Sequence, residues 1–141
     1  MPTTLKSVLA LDVGSKRVGV AVASLQARLP RPLVTLSADD KLFAQLAAIV
    51  RREEVGRLVV GLPRGLDGQQ TAQTESTLTF TKTLQSHFDL PIDMQDEALT
   101  SKHAEEELSK RGKPYQPADI DALAATYILE DWLREHQELA H

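Results

Sequence analysis

Three short apolar runs follow one another in the first 37 residues, with no room for a helix between them. Ser7-Val-Leu-Ala-Leu-Asp-Val13 is broken by Gly14. Val18-Gly-Val-Ala-Val-Ala23 resumes after Gly14-Ser15-Lys16-Arg17, and Pro32-Leu-Val-Thr-Leu-Ser37 is entered through Pro30 and Pro32. A parallel connection needs about a dozen residues or more, so the Gly-containing link demands an antiparallel hairpin and the three runs a meander.

The pattern then changes period. Ser37-Ala-Asp-Asp40 matches a helix capping box, and Leu42, Phe43, Leu46, Ala47, Ile49 and Val50 recur at helical spacing toward a stop near Gly56. Arg57-Leu-Val-Val-Gly-Leu62 has no polar alternation, which predicts a central parallel strand covered on both faces. Residues 69–88 carry both a threonine alternation and a helical spacing of Phe80, Leu84 and Phe88; their length favours helix. Pro91 to Glu97 is a fifth strand, Thr100 to Lys110 a charged helix ending at Gly112, and Pro117 to about His136 the strongest helix. A meander followed by αβ crossovers predicts an α/β fold: a five-stranded mixed sheet, three strands antiparallel and two added in parallel, with helices on both faces.

Composition narrows the chemistry. A chain of 141 residues is one domain's worth, and no repeat or linker divides residues 1–141. With no cysteine, thiolate metal sites, thiol nucleophiles and iron–sulfur clusters are excluded. The amino terminus has no apolar core of a signal peptide, and no run approaches the roughly 20 apolar residues that cross a bilayer, so a cytoplasmic protein without a membrane partner is expected. The net charge of −4 argues at first against a nucleic-acid partner, yet residues 1–64 hold ten Lys/Arg against five Asp/Glu, and the remainder six against fifteen.

The acids are where chemistry is expected. Asp12 ends an apolar strand, where a carboxylate is costly unless compensated; alone it also suits a turn before Gly14. Asp96 and Glu97 end the fifth strand, and alternation turns them to opposite faces, so at most one shares a pocket with Asp12. Asp119 is explained by the first turn of the last helix. Asp121 instead shares a row with Ala124, Ala125 and Ile128, whose small members would let the helix approach the sheet closely; the alternative is an exposed flank of the apolar stripe. Ligands of open α/β sheets gather at carboxyl ends of strands, and converging carboxylates need cations. An all-oxygen set suits Mg²⁺ or Mn²⁺, and two such ions would serve phosphodiester cleavage. Lys16, Arg17, Arg64 and the group Lys110, Arg111 and Lys113 are candidate phosphate contacts. No His-x-x-x-His pair supports zinc, and Gly61-Leu-Pro-Arg-Gly-Leu-Asp-Gly68 is neither a P-loop nor a dinucleotide fingerprint.

Leu11-Asp-Val-Gly-Ser-Lys-Arg-Val-Gly-Val-Ala-Val22, Val59-Val-Gly-Leu-Pro63 with Asp67-Gly68, Asp96-Glu97 before Leu99-Thr100, and Ile120-Asp121 leading into Ala124-Ala125 and Ile128-Leu129 together resemble the RuvX/YqgF family. These are ribonuclease-H-like proteins assigned to Holliday-junction resolution and pre-16S rRNA processing, and the resemblance spans nearly the whole chain in order and spacing. It implies a ribonuclease-H-like sheet and a metal-dependent nuclease site. By motif, the first-strand acid falls on Asp12, the fifth-strand acid on Glu97 with Asp96 beside it, and the helix acid on Asp121. Two departures touch substrate contacts and no implied metal ligand: Ala98 stands where the family often has arginine, and Arg64-Gly65-Leu66 replaces the more usual Leu-Asn-Met.

The leading expectation is a nuclease using divalent metal, acting on structured RNA or branched DNA. Symmetric junction cutting would need a homodimer. The rivals are a non-catalytic nucleic-acid-binding or ribosome-assembly module and, because Asp12-Val-Gly-Ser15 resembles a phosphate loop, an actin-like phosphotransferase. The latter would need a second lobe for which 141 residues leave no length.

Overall fold

The computed structural model describes residues 6–63, 71–97 and 100–137, without the side chains of 97 and 100–103. Its elements run β1 (Ser7–Val13), β2 (Arg17–Ser24), β3 (Arg31–Ser37), α1 (Leu42–Arg52), β4 (Val55–Pro63), α2 (Ala72–His87), β5 (Ile92–Glu97), α3 (Thr100–Lys110) and α4 (Pro117–Glu135). The five strands form one sheet in the order β3-β2-β1-β4-β5. β1 to β3 pair antiparallel, while β4 and β5 add in parallel beside β1. The meander with two parallel strands is therefore present, and the carboxyl ends of β1, β4 and β5 share one edge.

Each face of the sheet has its own core, because alternate side chains of a strand point opposite ways. Leu9, Leu11, Val18, Val20, Leu58 and Val60 pack with Leu42, Leu46 and Ile49 of α1 and Leu84 of α2. Val8, Ala10, Ala21, Ala23 and Val59 pack with Ala125, Ile128, Leu129 and Trp132 of α4. The second face is paved with small residues, so α4 settles close to the strands. α3 lies against the far side of α4 through Ala104, Leu108, Leu123 and Ala124.

Three local expectations are corrected. The Ser37-x-x-Asp40 box is not formed: Ser37 ends β3 and pairs with Arg17, and α1 begins at Leu42 behind Lys41 with no side-chain cap. Strand pairing removes Ser37 from use as a cap. Gly56 lies inside β4; the chain reverses instead at Glu54, whose φ of 54° takes the left-handed conformation. On α2 the buried stripe is Thr74, Thr77, Thr81 and Leu84, with Phe80 only half-buried. Threonine can be buried there because Thr81 Oγ1 donates to the Thr77 carbonyl at 2.9 Å.

Candidate active site

The site grows from the register of the hairpin. Asp12 stands directly opposite Gly19 across the β1–β2 pair. Both belong to the parity of Ala10 and Ala21, the face covered by α4. Gly19 has no side chain, and the backbone of α4 fills that space: a β-carbon on Gly19 would lie 2.0 Å from the Asp121 carbonyl oxygen and 2.8 Å from the Ala122 nitrogen. Asp12 and Asp121, 109 positions apart in sequence, thus flank one bare glycine.

The start of α4 is held in place from two sides. Thr35 Oγ1 of β3 donates to the Ala118 carbonyl at 2.6 Å. The Gln116 amide donates to Asp119 Oδ2 at 2.8 Å, so Asp119 is used as a cap of the helix it begins. Asp121, two residues on, turns to the strand ends. Its carboxylate, 21% exposed, accepts from Arg17 Nε at 2.6 Å. The guanidinium is 43% exposed and is held where β2 leaves the turn.

β5 sorts the acidic pair. Asp93 meets Trp132 of α4 and Gln95 meets Glu135, whereas Met94 meets Thr81 of α2. Alternation therefore gives backbone position 97 the parity of the α4 face, shared with Asp12, and Asp96 the opposite parity. Asp96 is exposed and pairs in register with Leu62, position 97 with Pro63. Between β1 and β5 on the α4 face lies Gly61, level with Gln95 and next in line after the Leu11–Val60 pair. Among the described residues no three acidic or histidine side chains converge closely enough to hold a metal. The Glu97 side chain lies outside those residues, as do Arg64, the Arg64-Gly65-Leu66 segment and Ala98.

A cleft of about 740 Å³ opens over this end of the sheet. One wall is the β1–β2 turn with Ser15, Lys16 and Arg17, the other is α2 with Gln73 and Ser76, and Asp121 closes it. The α2 wall is anchored by a reciprocal cap between Thr71 and Thr74, whose hydroxyl also donates to the Pro63 carbonyl at the end of β4. Sequence reasoning missed Gln73 and Ser76, because nothing in a threonine-rich helix marks which turn overlooks a strand end. The other basic group lies elsewhere. Arg111 and Lys113 line a separate hollow of about 300 Å³ with Pro32, Tyr115 and Asp119, and Lys110 is exposed at the end of α3. Arg111 is already paired with Glu107 at 2.8 Å. Glu107 also accepts from the Tyr127 hydroxyl at 2.8 Å; burial first, then that acceptor, pushes the phenol up to about 12.

The donor chemistry of the site fits a hard divalent cation. Asp12 and Asp121 offer only carboxylate oxygens, and a cationic group already sits on Asp121. No helix among the described residues is long and apolar enough to cross a membrane.

Residues 6–135 match the family model described as RuvX: Holliday junction resolvase. The "Putative pre-16S rRNA nuclease" of Chloroflexus aurantiacus is 42% identical over 130 residues, covering 89% of this chain and 85% of that protein. The protein of the same name in Maridesulfovibrio salexigens is 38% identical, covering 89% and 96%. Among solved structures, Thermus thermophilus RuvC superposes with a TM-score of 0.53 at 14% identity over 93% of this chain and 96% of that one. The yeast mitochondrial Holliday junction resolvase Ydc2 superposes with 0.55 at 14% identity over 98% and 82%. At such identity the likeness is one of fold, the ribonuclease-H-like arrangement of resolvases.

Proposed function

The chain belongs to the RuvX family, and from that membership together with the site we propose that it is a divalent-metal-dependent nuclease hydrolysing phosphodiester bonds of structured RNA or branched DNA. The observation that carries the reading is that the Asp121 main chain packs on Gly19, the register partner of Asp12, while Asp121 itself lines a cleft with Lys16 and Arg17. Asp12, Glu97 and Asp121 would hold Mg²⁺ or Mn²⁺, one ion or two; Asp96, on the opposite parity, stands outside that set. When bound, the metal supplies stabilisation of the charge that builds on the phosphate oxygens.

The chain's own groups then position the substrate. Lys16 places an exposed ammonium on the turn that walls the cleft, where it attracts and seats a phosphate. Gln73 and Ser76 face it with neutral hydrogen-bonding groups from α2. Lys110, Arg111 and Lys113 would hold backbone farther from the cut, and Arg64 is a further candidate phosphate contact. The acidic total of −4 is compatible with this partner, because the cations that Asp12, Glu97 and Asp121 would hold offset three of those charges. The activity is assigned to residues 1–141 acting as one domain in the cytoplasm.

The name carried by relatives at 38–42% identity favours precursor 16S rRNA as substrate, whereas the fold shared with resolvases does not by itself choose junction DNA. Asp12→Asn should abolish cleavage while the fold and melting temperature persist. Equal cutting by wild type and variant of both a four-way junction and precursor 16S RNA, in Mg²⁺ or Mn²⁺, would overturn the assignment. A matched panel with mapped product ends decides between the substrates. A light-scattering mass equal to one chain, with and without junction DNA, would exclude symmetric resolution.

A further inference from the structure

We propose that Arg17 and a divalent ion compete for the carboxylate of Asp121, so that metal loading releases the guanidinium into the cleft where nucleic acid would lie. This rests on the nuclease reading above and deepens it. Three observations carry it. Arg17 donates to Asp121 Oδ2 at 2.6 Å, and the main chain of Asp121 packs on Gly19, the register partner of Asp12. Both partners of the pair line the same cleft. The pair is partly exposed on both sides, 43% and 21%, which places it among ion pairs weak enough to exchange partners.

The chemistry of exchange is simple. A carboxylate oxygen engaged by Nε of a guanidinium has part of its lone-pair capacity spent, and a hard cation must share or take it. Once displaced, Arg17 stays tethered at the first residue of β2 on the cleft wall. Its planar donor fork suits a phosphate, which a metal-compensated carboxylate no longer outcompetes. Lys16, its neighbour on the same turn, has no such engagement with Asp121 among the described residues, so the two cations differ in role although they adjoin in sequence.

The test compares Mn²⁺ affinity by calorimetry for wild type, Arg17→Gln and Lys16→Gln. Competition predicts that Arg17→Gln binds Mn²⁺ about twofold to fivefold more tightly than wild type, the range expected when a partly exposed ion pair no longer has to be displaced. Lys16→Gln removes one charge from the same turn without freeing Asp121 and should gain clearly less. Equal gains in both variants mean plain charge repulsion and overturn the proposal, as does unchanged or weaker binding by Arg17→Gln. In parallel, the Nε–H resonance of Arg17 in wild type should move on titration with diamagnetic Mg²⁺, and Asp121→Asn should reproduce that shift without metal. If Mn²⁺ binds to wild type while the Arg17 signal stays unmoved, the competition alone fails. If neither wild type nor Arg17→Gln binds metal, the nuclease reading fails with it.

Discussion

Gly19 and Asp121 are in backbone contact: a β-carbon on the glycine would stand 2.0 Å from the aspartate's carbonyl oxygen. The obstacle is main chain, which cannot swing aside as the end of a side chain can. Gly19→Ala should therefore cost more than about 3 kcal/mol, the upper end of overpacking effects, by levering the first turns of α4 from the sheet. Thermal melts measure the stability. Because Asp121 moves with that turn, the folded fraction should also bind Mn²⁺ more weakly than wild type. A variant that melts like wild type would show that α4 does not sit against Gly19.

Lys16 extends from the turn that walls the cleft, and the role proposed for it is that of a phosphate contact. Lys16→Gln should weaken binding of RNA and junction DNA alike and lower the slope of log K against log salt by about one, the value of a single phosphate neutralised. Fluorescence anisotropy across a salt series, on Asp12→Asn so that no substrate is consumed, reads both quantities. An unchanged slope would place Lys16 off the binding path.

At the other end of α4, Trp132 is fully buried and donates through Nε1 to Asp93 Oδ2 at 2.8 Å. Arg57 Nη1 reaches both Asp93 oxygens, at 3.0 and 3.1 Å. Asp93 is thus the shared acceptor that joins α4 to β4 and β5. Asp93→Ala should cost about 3 kcal/mol, since it strands a guanidinium and an indole N–H at once. Trp132→Phe, which leaves the Arg57–Asp93 pair intact, should cost less than Asp93→Ala. Urea midpoints at constant m-value rank the two, and the reverse order would show that ring packing outweighs the shared acceptor.

Tyr127 ties α4 to α3 through Glu107, and burial together with that acceptor pushes its phenol up to about 12 from the ordinary 10. The folded state holds the proton more tightly than the unfolded chain, so this contribution is complete below pH 10 and fades as pH rises toward 12. Phenolate absorbance should show a high-pH transition that Tyr127→Phe removes and Glu107→Gln brings down. A single transition near 10 in wild type would contradict the hydrogen bond to Glu107.

Much of this architecture is legible in the sequence because period-2 and period-3.6 patterns change cleanly along the chain. The link Gly14 to Arg17 dictates a hairpin, and the unbroken Leu58-Val59-Val60 run a strand covered on both faces. Asp121 is separable from Asp119 by the alanines that follow it, and the structure puts Asp119 to use as a cap. Other features depend on tertiary neighbours that no local pattern records. Gly19 reads as an ordinary strand glycine until a helix is laid over it. Ser37 has the spacing of a cap, yet strand pairing claims it. Parity within β5 can be read from the sequence, but which parity faces α4 cannot, so the choice between Asp96 and Glu97 rests on Asp93 and Gln95.

The seating of α4 on Gly19 also has a meaning in time. Ribosomes make β1 and β2 early, while the helix bearing Asp121 begins only at Pro117. A nascent chain can zip its hairpin long before then, but half of the carboxylate pair is still unmade. Any capacity that depends on Asp12 and Asp121 together is thus withheld until synthesis has passed that helix.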